Sequence, residues 1–373
     1  MLKVYRSIAI CLLIVYPILS DRFAIDLIKK FNSYRRGNFV ISPLAVNHAL
    51  VQLYLANQEN VDMELQKVLY VKDNDRATIV KNFRDFYARA MSAEFQDSTR
   101  LYVSKKLKTA SKYEQLIKRI NASLESIDFG NKEKAILEMS MWLSQTMNRN
   151  YSTIMRESEV SSTTDLVSIS GVSCKPNWKY PFFSRWKKPF KMRQAIGKPY
   201  VEYVNTMYTT ANFATFDEKD ARGIFIPLQR TSVGMLVIVP KKRGYPRKIM
   251  QNIGNYFNMK LKPEQKLSLF LPMFRIILGT ELSGVLKTMG LKQLFEGFKY
   301  TEAFGSQEPL TVEKFKSKTV IEVNADRELI EIEDPAEEDD IIFEVNRPFV
   351  FLIKDRTRIY AAGRVNTLTN LVI

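Results

Sequence analysis

Apolar residues recur along this chain with two different spacings. Between residues 77 and 91, Ile79, Val80, Phe83, Phe86, Tyr87 and Ala90 fall three or four apart, with Lys81, Arg84 and Arg89 between them. That spacing predicts a helix with one buried face. Phe23 to Phe31 reads the same way, and residues 110–120 and 132–149 give two more helices. Pro43 opens another, through about Ala56, because proline lacks only a hydrogen-bond donor that the first turn leaves unused. Asn38 to Ser42 reads as a short strand, and Thr164–Cys174, Val233–Pro240 and Lys266–Met273 as buried strands. Thr280–Met289 is predicted helical, and Thr319–Val323, Phe349–Ile353 and Ile359–Val365 are late strands. Helices dominate the first half and strands the second, so the predicted class is α+β.

Composition changes the picture in three places. Lys3 and Arg6 precede an apolar run from Ile8 to Leu19 and then Ser20. The run is short for a bilayer span and has the form of a secretory leader, so residues 1–20 are expected to be removed. Residues 21–373 then form one domain, and a monomer, located outside the cell. Cys11 leaves with the leader and Cys174 remains alone, which excludes a disulfide framework and predicts a small buried apolar side chain. Behind a leader, Asn121 and Asn150, each two residues before a serine, become glycosylation sites.

Charge is the second large signal. The chain carries a formal +16, or +14 once Lys3 and Arg6 are gone. Between Asp326 and Glu344 there are ten acidic residues and one base, Arg327, so this stretch carries −9 and the rest of the mature chain +23. Lys175 to Arg193 holds seven basic residues and no acid, interleaved with Trp178, Tyr180, Phe182, Phe183, Trp186 and Phe190. Arg185, Lys187, Lys188, Lys191 and Arg193 are the expected contacts for an extracellular polyanion of the heparin type. Nucleic acid is not an expected partner of a secreted chain.

Catalytic chemistry is poorly served. His48 is the only histidine and sits in an apolar helix, where a packed side chain is the expectation. No G-x-S-x-G elbow, phosphate loop or dinucleotide fingerprint is present. One histidine and one mature cysteine exclude a zinc site built on several of them. No enzyme activity, metal or cofactor is expected.

Several stretches, in order, resemble the serpin family. Asn38-Phe-Val-Ile-Ser-Pro-Leu-Ala45 is similar to its strand-then-helix opening. Lys175, Trp178, Pro181 and Phe182 resemble its K-x-x-W-x-x-P-F segment. Leu269-Phe-Leu-Pro-Met-Phe274 with Leu286, Met289, Gly290 and Leu291 resembles a late strand–helix unit. Val320-Ile-Glu-Val-Asn324 resembles the strand before the reactive loop, and Asn346-Arg-Pro-Phe-Val-Phe-Leu-Ile353 with Gly363-Arg-Val365 resembles the C-terminal signature. The resemblance implies three β-sheets, about nine helices and an exposed loop, here about 326–344. It also implies a serine-protease inhibitor that acts by inserting its cleaved loop as a new central strand.

In that loop the sequence departs from the family pattern. Arg327 stands where a hinge glycine is expected, and Glu328 where a small hydroxyl is expected. Leu329, Ile330, Glu331 and Ile332 stand where the loop should be small. Strand alternation would send Glu328, Ile330, Ile332, Asp334 and Ala336 under the sheet on insertion. Buried unpaired carboxylates cost several kcal/mol, and Pro335 removes a ladder hydrogen bond. Arg327 lies too near the hinge for trypsin-like cleavage, leaving Ala336, Ile341 or Ile342 as the scissile position. The polar cluster that the family places under the opening sheet falls on Ser42, Ala45, Ser170 and Ser317; Ser42 matches, while the other three stand where the family usually has Ser, Asn and His, so the hydrogen-bonding set is altered. The expectation is a secreted protein that binds a serine protease or another extracellular protein without trapping it. The alternative is an inhibitor of non-trypsin-like specificity.

Overall fold

A computed structural model describes residues 22–56, 63–71, 76–147, 154–192, 200–241, 246–298, 301–328 and 341–368, with only the backbone at 185, 186, 301, 327 and 328. The leader, Asn150, Arg193 and residues 329–340 lie outside the described part. The helices are α1 (22–34), α2 (Pro43–Ala56), α3 (Met63–Leu69), α4 (Arg76–Ser92), α5 (Ser111–Lys118), α6 (Lys132–Thr146), α7 (Pro246–Gln251), α8 (Ile253–Phe257), α9 (Ser283–Met289), α10 (Gln293–Glu296) and α11 (Thr301–Phe304). The described residues thus hold eleven α-helices where about nine were expected, the surplus being single-turn pieces such as α10 and α11.

The strands are β1 (Phe39–Ile41), β2 (Phe95–Ser104), β3 (Ala122–Ile127), β4 (Leu166–Cys174), β5 (Phe183–Met192), β6 (Tyr200–Asp217), β7 (Ala221–Pro227), β8 (Gly234–Pro240), β9 (Gln265–Pro272), β10 (Phe274–Glu281), β11 (Val312–Val323), β12 (Arg327–Glu328), β13 (Ile342–Glu344), β14 (Phe349–Lys354) and β15 (Ile359–Val365). They build three sheets. The first is five-stranded, in the order β10-β11-β4-β2-β3. The second runs β1-β15-β14-β8-β7-β6. The third contains β12, β5, β6, β9 and β13. The long β6 belongs to both, because its first part pairs with β5 and its last four residues with β7.

Local chemistry explains the elements that matter most. Ser42 caps α2: its hydroxyl accepts from the Ala45 amide at 3.2 Å, with Pro43 as the first helical residue. Thirteen of the fourteen α2 residues are buried, as an all-round apolar helix requires. The helix runs beneath the five-stranded sheet in the main core. On the other side of that sheet α6 closes a second core, where Met139, Leu143 and Met147 meet Val167, Ile169 and Val320. Gly171 on β4 marks how closely α6 approaches. A Cβ there would stand 2.6 Å from Leu143 and 2.9 Å from Met147.

The C-terminal signature also has a physical role. Arg364 on β15 is buried and donates to the carbonyls of Arg35, Arg36 and Gly37 and to Asn32 Oδ1 at 2.6–2.9 Å. Those carbonyls belong to the segment that follows α1, and the guanidinium pairs acceptors that burial would otherwise leave unsatisfied. Burial, aided by repulsion from Arg247, lowers its pKa to about 10. Two predicted boundaries fail: β11 begins at Val312, well before the expected Thr319, and the Thr280–Met289 helix starts late. Thr280 and Glu281 end β10, opposite Ser317 and Lys316, and the helix begins only at Ser283.

Candidate functional site

The seam between β4 and β11 is where an inserted strand would have to pass. These strands run parallel and pair in register from Leu166 against Val312 to Cys174 against Ile321, with one bulge near Val312. The five-stranded sheet is therefore closed. On its main-core side the Ser170 hydroxyl donates to the Ser317 hydroxyl across the seam at 3.1 Å, and both residues are fully buried. Ser42 faces a different task, with its hydroxyl donating to the Tyr360 carbonyl at 2.8 Å. The expected four-residue cluster of Ser42, Ala45, Ser170 and Ser317 is thus divided. Two residues form the helix cap and two form the cross-seam bond.

On the α6 side the seam carries a clasp that the sequence did not suggest. Lys316 of β11 is buried to 7% exposure and donates to Glu159, in the segment between α6 and β4, at 2.5 Å. Burial pushes the Glu159 carboxyl up, but Lys316 and the Arg156 amide together hold it below the usual carboxylate range. With α6 tight against Gly171, this pair ties the connecting segment over the seam.

The loop leaves the top of β11 through a laced junction. Glu322 lies 3.5 Å from Arg275 and 4.0 Å from Lys175. The Trp178 indole donates to the Asn324 carbonyl at 3.1 Å. Asp326 and Phe182 exchange two bonds: the Phe182 amide donates to the Asp326 carboxylate at 2.8 Å, and the Asp326 amide to the Phe182 carbonyl at 3.0 Å. The hinge then continues as β12, where Arg327 and Glu328 pair in parallel with Phe183 and Ser184 on the edge of β5. Those two hinge residues sit in the third sheet, outside the seam. Leu329, Ile330, Glu331, Ile332, Asp334, Pro335 and Ala336 fall outside the described residues.

The far end of the loop is shorter than expected. Ile342, Phe343 and Glu344 form β13 on β9, and the Ser268 amide donates to the Ile341 carbonyl at 2.9 Å. Ile341 and Ile342 remain about half exposed, at 55% and 53%. Glu344 meets basic groups: Lys188 at 3.8 Å by its side chain, and Arg222, which donates to its carbonyl at 2.8 Å. Burial and the neighbouring Arg347 lower the Arg222 pKa.

The basic stretch does not form one face. β5 alternates, so Lys188 turns inward over the Phe270 ring at 3.5 Å, on the side where Phe190 and Met192 are buried. Lys187 and Lys191 stay exposed, opposite Asn205 and Val201, beside the exposed Tyr203. The Arg185 side chain lies outside the described residues. Trp178 and Phe182 are core residues in edge-to-face contact. Asn121 is exposed, in a left-handed turn with φ 57°. Cys174 is buried with its thiol pKa pushed up by burial. Among the described residues no cluster of three metal-ligating side chains occurs, and no helix is long and apolar enough to cross a membrane.

Comparison with known proteins agrees with this architecture. Human Serpin B3 is 23% identical over 303 residues, covering 74% of this chain and 78% of its own. The crystal structure of Serpin48 from Tenebrio molitor, described as a highly specific serpin, superposes with a TM-score of 0.83 at 20% identity, over 95% and 98% of the two chains. Native protease nexin-1 with heparin gives a TM-score of 0.80 at 20% identity, over 94% and 99%. The family described as Serpin (serine protease inhibitor) matches residues 19–368, and the chain belongs to that family.

Proposed function

We propose that this serpin is a secreted binding protein or decoy, which presents its acidic loop to a serine protease or another extracellular protein without trapping it by insertion. The observation that carries this reading is the position of Arg327 and Glu328, paired with the edge of β5 while β4 and β11 stay joined. Insertion must strip that pairing, release the Asp326–Phe182 bonds and separate Ser170 from Ser317. It must then place Glu328 and Asp334 under the sheet, and each unpaired carboxylate there costs several kcal/mol. Serpins as a family inhibit proteases and are not enzymes, and we propose no catalytic activity for this chain.

Among the scissile positions, Ala336 fits best. Ile341 and Ile342 are already engaged with β9. A protease needs its substrate strand free on both edges, so cutting there requires peeling β13 away. A sugar on Asn121, a mature chain starting near residue 21 and salt-dependent binding of a heparin-like polyanion through Lys187 and Lys191 complete the proposal.

The competing reading is a working inhibitor of non-trypsin-like specificity, favoured by family membership. One experiment separates them. The purified protein is incubated with a panel of secreted serine proteases, followed by denaturing gels and thermal melts. A cleaved chain with no covalent adduct and no large rise in melting temperature supports the binding reading. An SDS-stable adduct overturns it.

A further inference from the structure

A cleft of about 640 Å³ opens between α6 and the segment 154–159 that leads towards β4, with the buried Lys316 of β11 at its floor. This is within the size range of small-molecule sites. Its walls are apolar. Ile136 and Met155 are buried, Ile154 is half-buried, and Leu137 stands at the mouth with 58% of its surface exposed.

The charge in the cleft runs against that of the molecule. The whole chain carries +16, yet three carboxylates line this cleft, those of Glu133, Glu157 and Glu159, against two cations, Arg156 and Lys316. Lys316 and Glu159 pair with each other in the clasp. Glu133 and Glu157 are exposed and form no ion pair among the described residues. Arg156 can answer one of them, so the open part of the cleft keeps one carboxylate in excess.

The walls are already in place. The Ser140 hydroxyl of α6 accepts from the Ile154 amide at 3.2 Å, which fixes the start of the segment to the helix. The Glu159 carboxylate accepts from the Arg156 amide at 3.0 Å, and the Glu159 amide donates back to the Arg156 carbonyl at 2.9 Å. Ile136 and Met155 belong to the second core, with Met139 and Leu143. The cleft therefore touches three parts that have to separate before a strand can enter the seam: α6, the connecting segment and β11. A ligand that rests on all three binds only the closed arrangement and favours it by mass action.

We infer that this cleft binds a small monocation with an apolar body, a protonated primary amine on an aryl-alkyl chain, and that the bound amine holds the seam closed. The apolar part covers Leu137, Ile136 and Met155, and the ammonium sits beside Glu133 and Glu157. An anion of the same shape would meet those carboxylates, and a neutral ligand would leave the excess charge unanswered. The site is separate from the reactive loop and from Lys187 and Lys191, so its failure and that of the proposed function are distinguishable.

The test uses the full mature protein and three probes of one shape, phenylbutylamine, phenylbutanol and phenylbutanoate, measured by calorimetry. The amine should bind one to one with a Kd below about 1 mM, and the alcohol and the carboxylate at least about tenfold more weakly. The double variant Glu133→Gln with Glu157→Gln, on exposed positions, should weaken the amine at least about tenfold and leave the alcohol unchanged. Leu137→Gln should weaken amine and alcohol alike, which reports the apolar wall independently of charge. At saturation the amine should slow amide exchange in β4 and β11. No amine binding at about 1 mM, a carboxylate that binds as tightly, or an amine indifferent to the double variant overturns the site. Amine binding that leaves exchange in β4 and β11 unchanged overturns its hold on the seam.

Discussion

His48 Nδ1 and Asp97 Oδ2 stand 2.6 Å apart, with both side chains fully buried between α2 and β2. Asp97 lies opposite Val172 of β4, so the pair sits directly under the five-stranded sheet. Among the described residues, His48 Nε2 and Asp97 Oδ1 have no hydrogen-bond partner. Such a pair is weak evidence for stability as a unit, but removing one member strands the other. We expect His48→Ala to cost about 3–5 kcal/mol in denaturant unfolding, while replacing both residues by apolar ones of similar volume costs little. A single variant as stable as the parent would show that the pair is not energetically coupled.

Gly171 predicts a second outcome. A methyl group at this position meets Leu143 and Met147 of α6 well inside contact distance. Gly171→Ala should destabilise the fold by about 1–3 kcal/mol through overpacking. Trimming Met147 to Ala in the same chain should recover part of the loss if the contact is the cause. Equal losses with and without the trimming would assign the cost elsewhere.

Arg364 should tolerate little change. Lysine keeps the charge but cannot reach Asn32 and three carbonyls at once. Arg364→Lys is expected to lower the unfolding free energy by about 2–4 kcal/mol, and Arg364→Ala by more. The readout is the denaturant midpoint at constant m-value.

Asp355 sets the acid limit. It is buried and accepts from the amides of Thr357 and Arg358 and from the Tyr360 hydroxyl at 2.6–2.7 Å. Burial acts to raise its pKa, but these bonds and Arg89 together hold it below the ordinary value of 3.8. Its contribution is thus complete above about pH 4 and is lost as pH falls through the lowered folded value. The stability of the wild type should fall more steeply below about pH 4 than that of Asp355→Asn, which is weaker at neutral pH. Parallel curves for the two proteins would contradict the assignment.

Strand alternation divides the lysines of β5. Reversing Lys187 and Lys191 to Glu should reduce retention on immobilised heparin and flatten its salt dependence. Lys188→Glu should change retention less, and should instead loosen Ile342–Glu344 on β9, read as faster amide exchange. Equal losses of retention from both variants would mean that Lys188 turns outward in solution.

Much of this architecture is legible in the residues. The α4 face, the start of α2 at Pro43 and the late strands follow from period and from proline's place in a first helical turn. The half-polar strands β2 and β3 do not, because their ladder partners come from the sheet and not from local pattern. Ser170 and Ser317 were visible as small hydroxyls, but only register shows that they meet. Lys316 and Glu159 are 157 residues apart and carry no local signal of pairing. Gly171 did carry one, since glycine inside a buried strand marks a close approach. The inward turn of Lys188 is hard to see in the sequence, because a cluster of like charges hides the two-residue alternation beneath it.

The parallel seam has a consequence for how the molecule is made. Leu166 and Val312 are neighbours in space but are separated by most of the second half of the chain, and so are Ser170 and Ser317. Closing so long an intervening loop costs entropy before any contact repays it, which slows pairings of this kind. β2 meets β3 and β4 across shorter stretches, and β14 meets β15 through a turn of a few residues. In a refolding chain followed by pulsed amide exchange, β4 and β11 should gain mutual protection after these pairs. Until they do, both present an open edge of unpaired amides and carbonyls, and a nascent chain at high concentration is most exposed to a neighbour there.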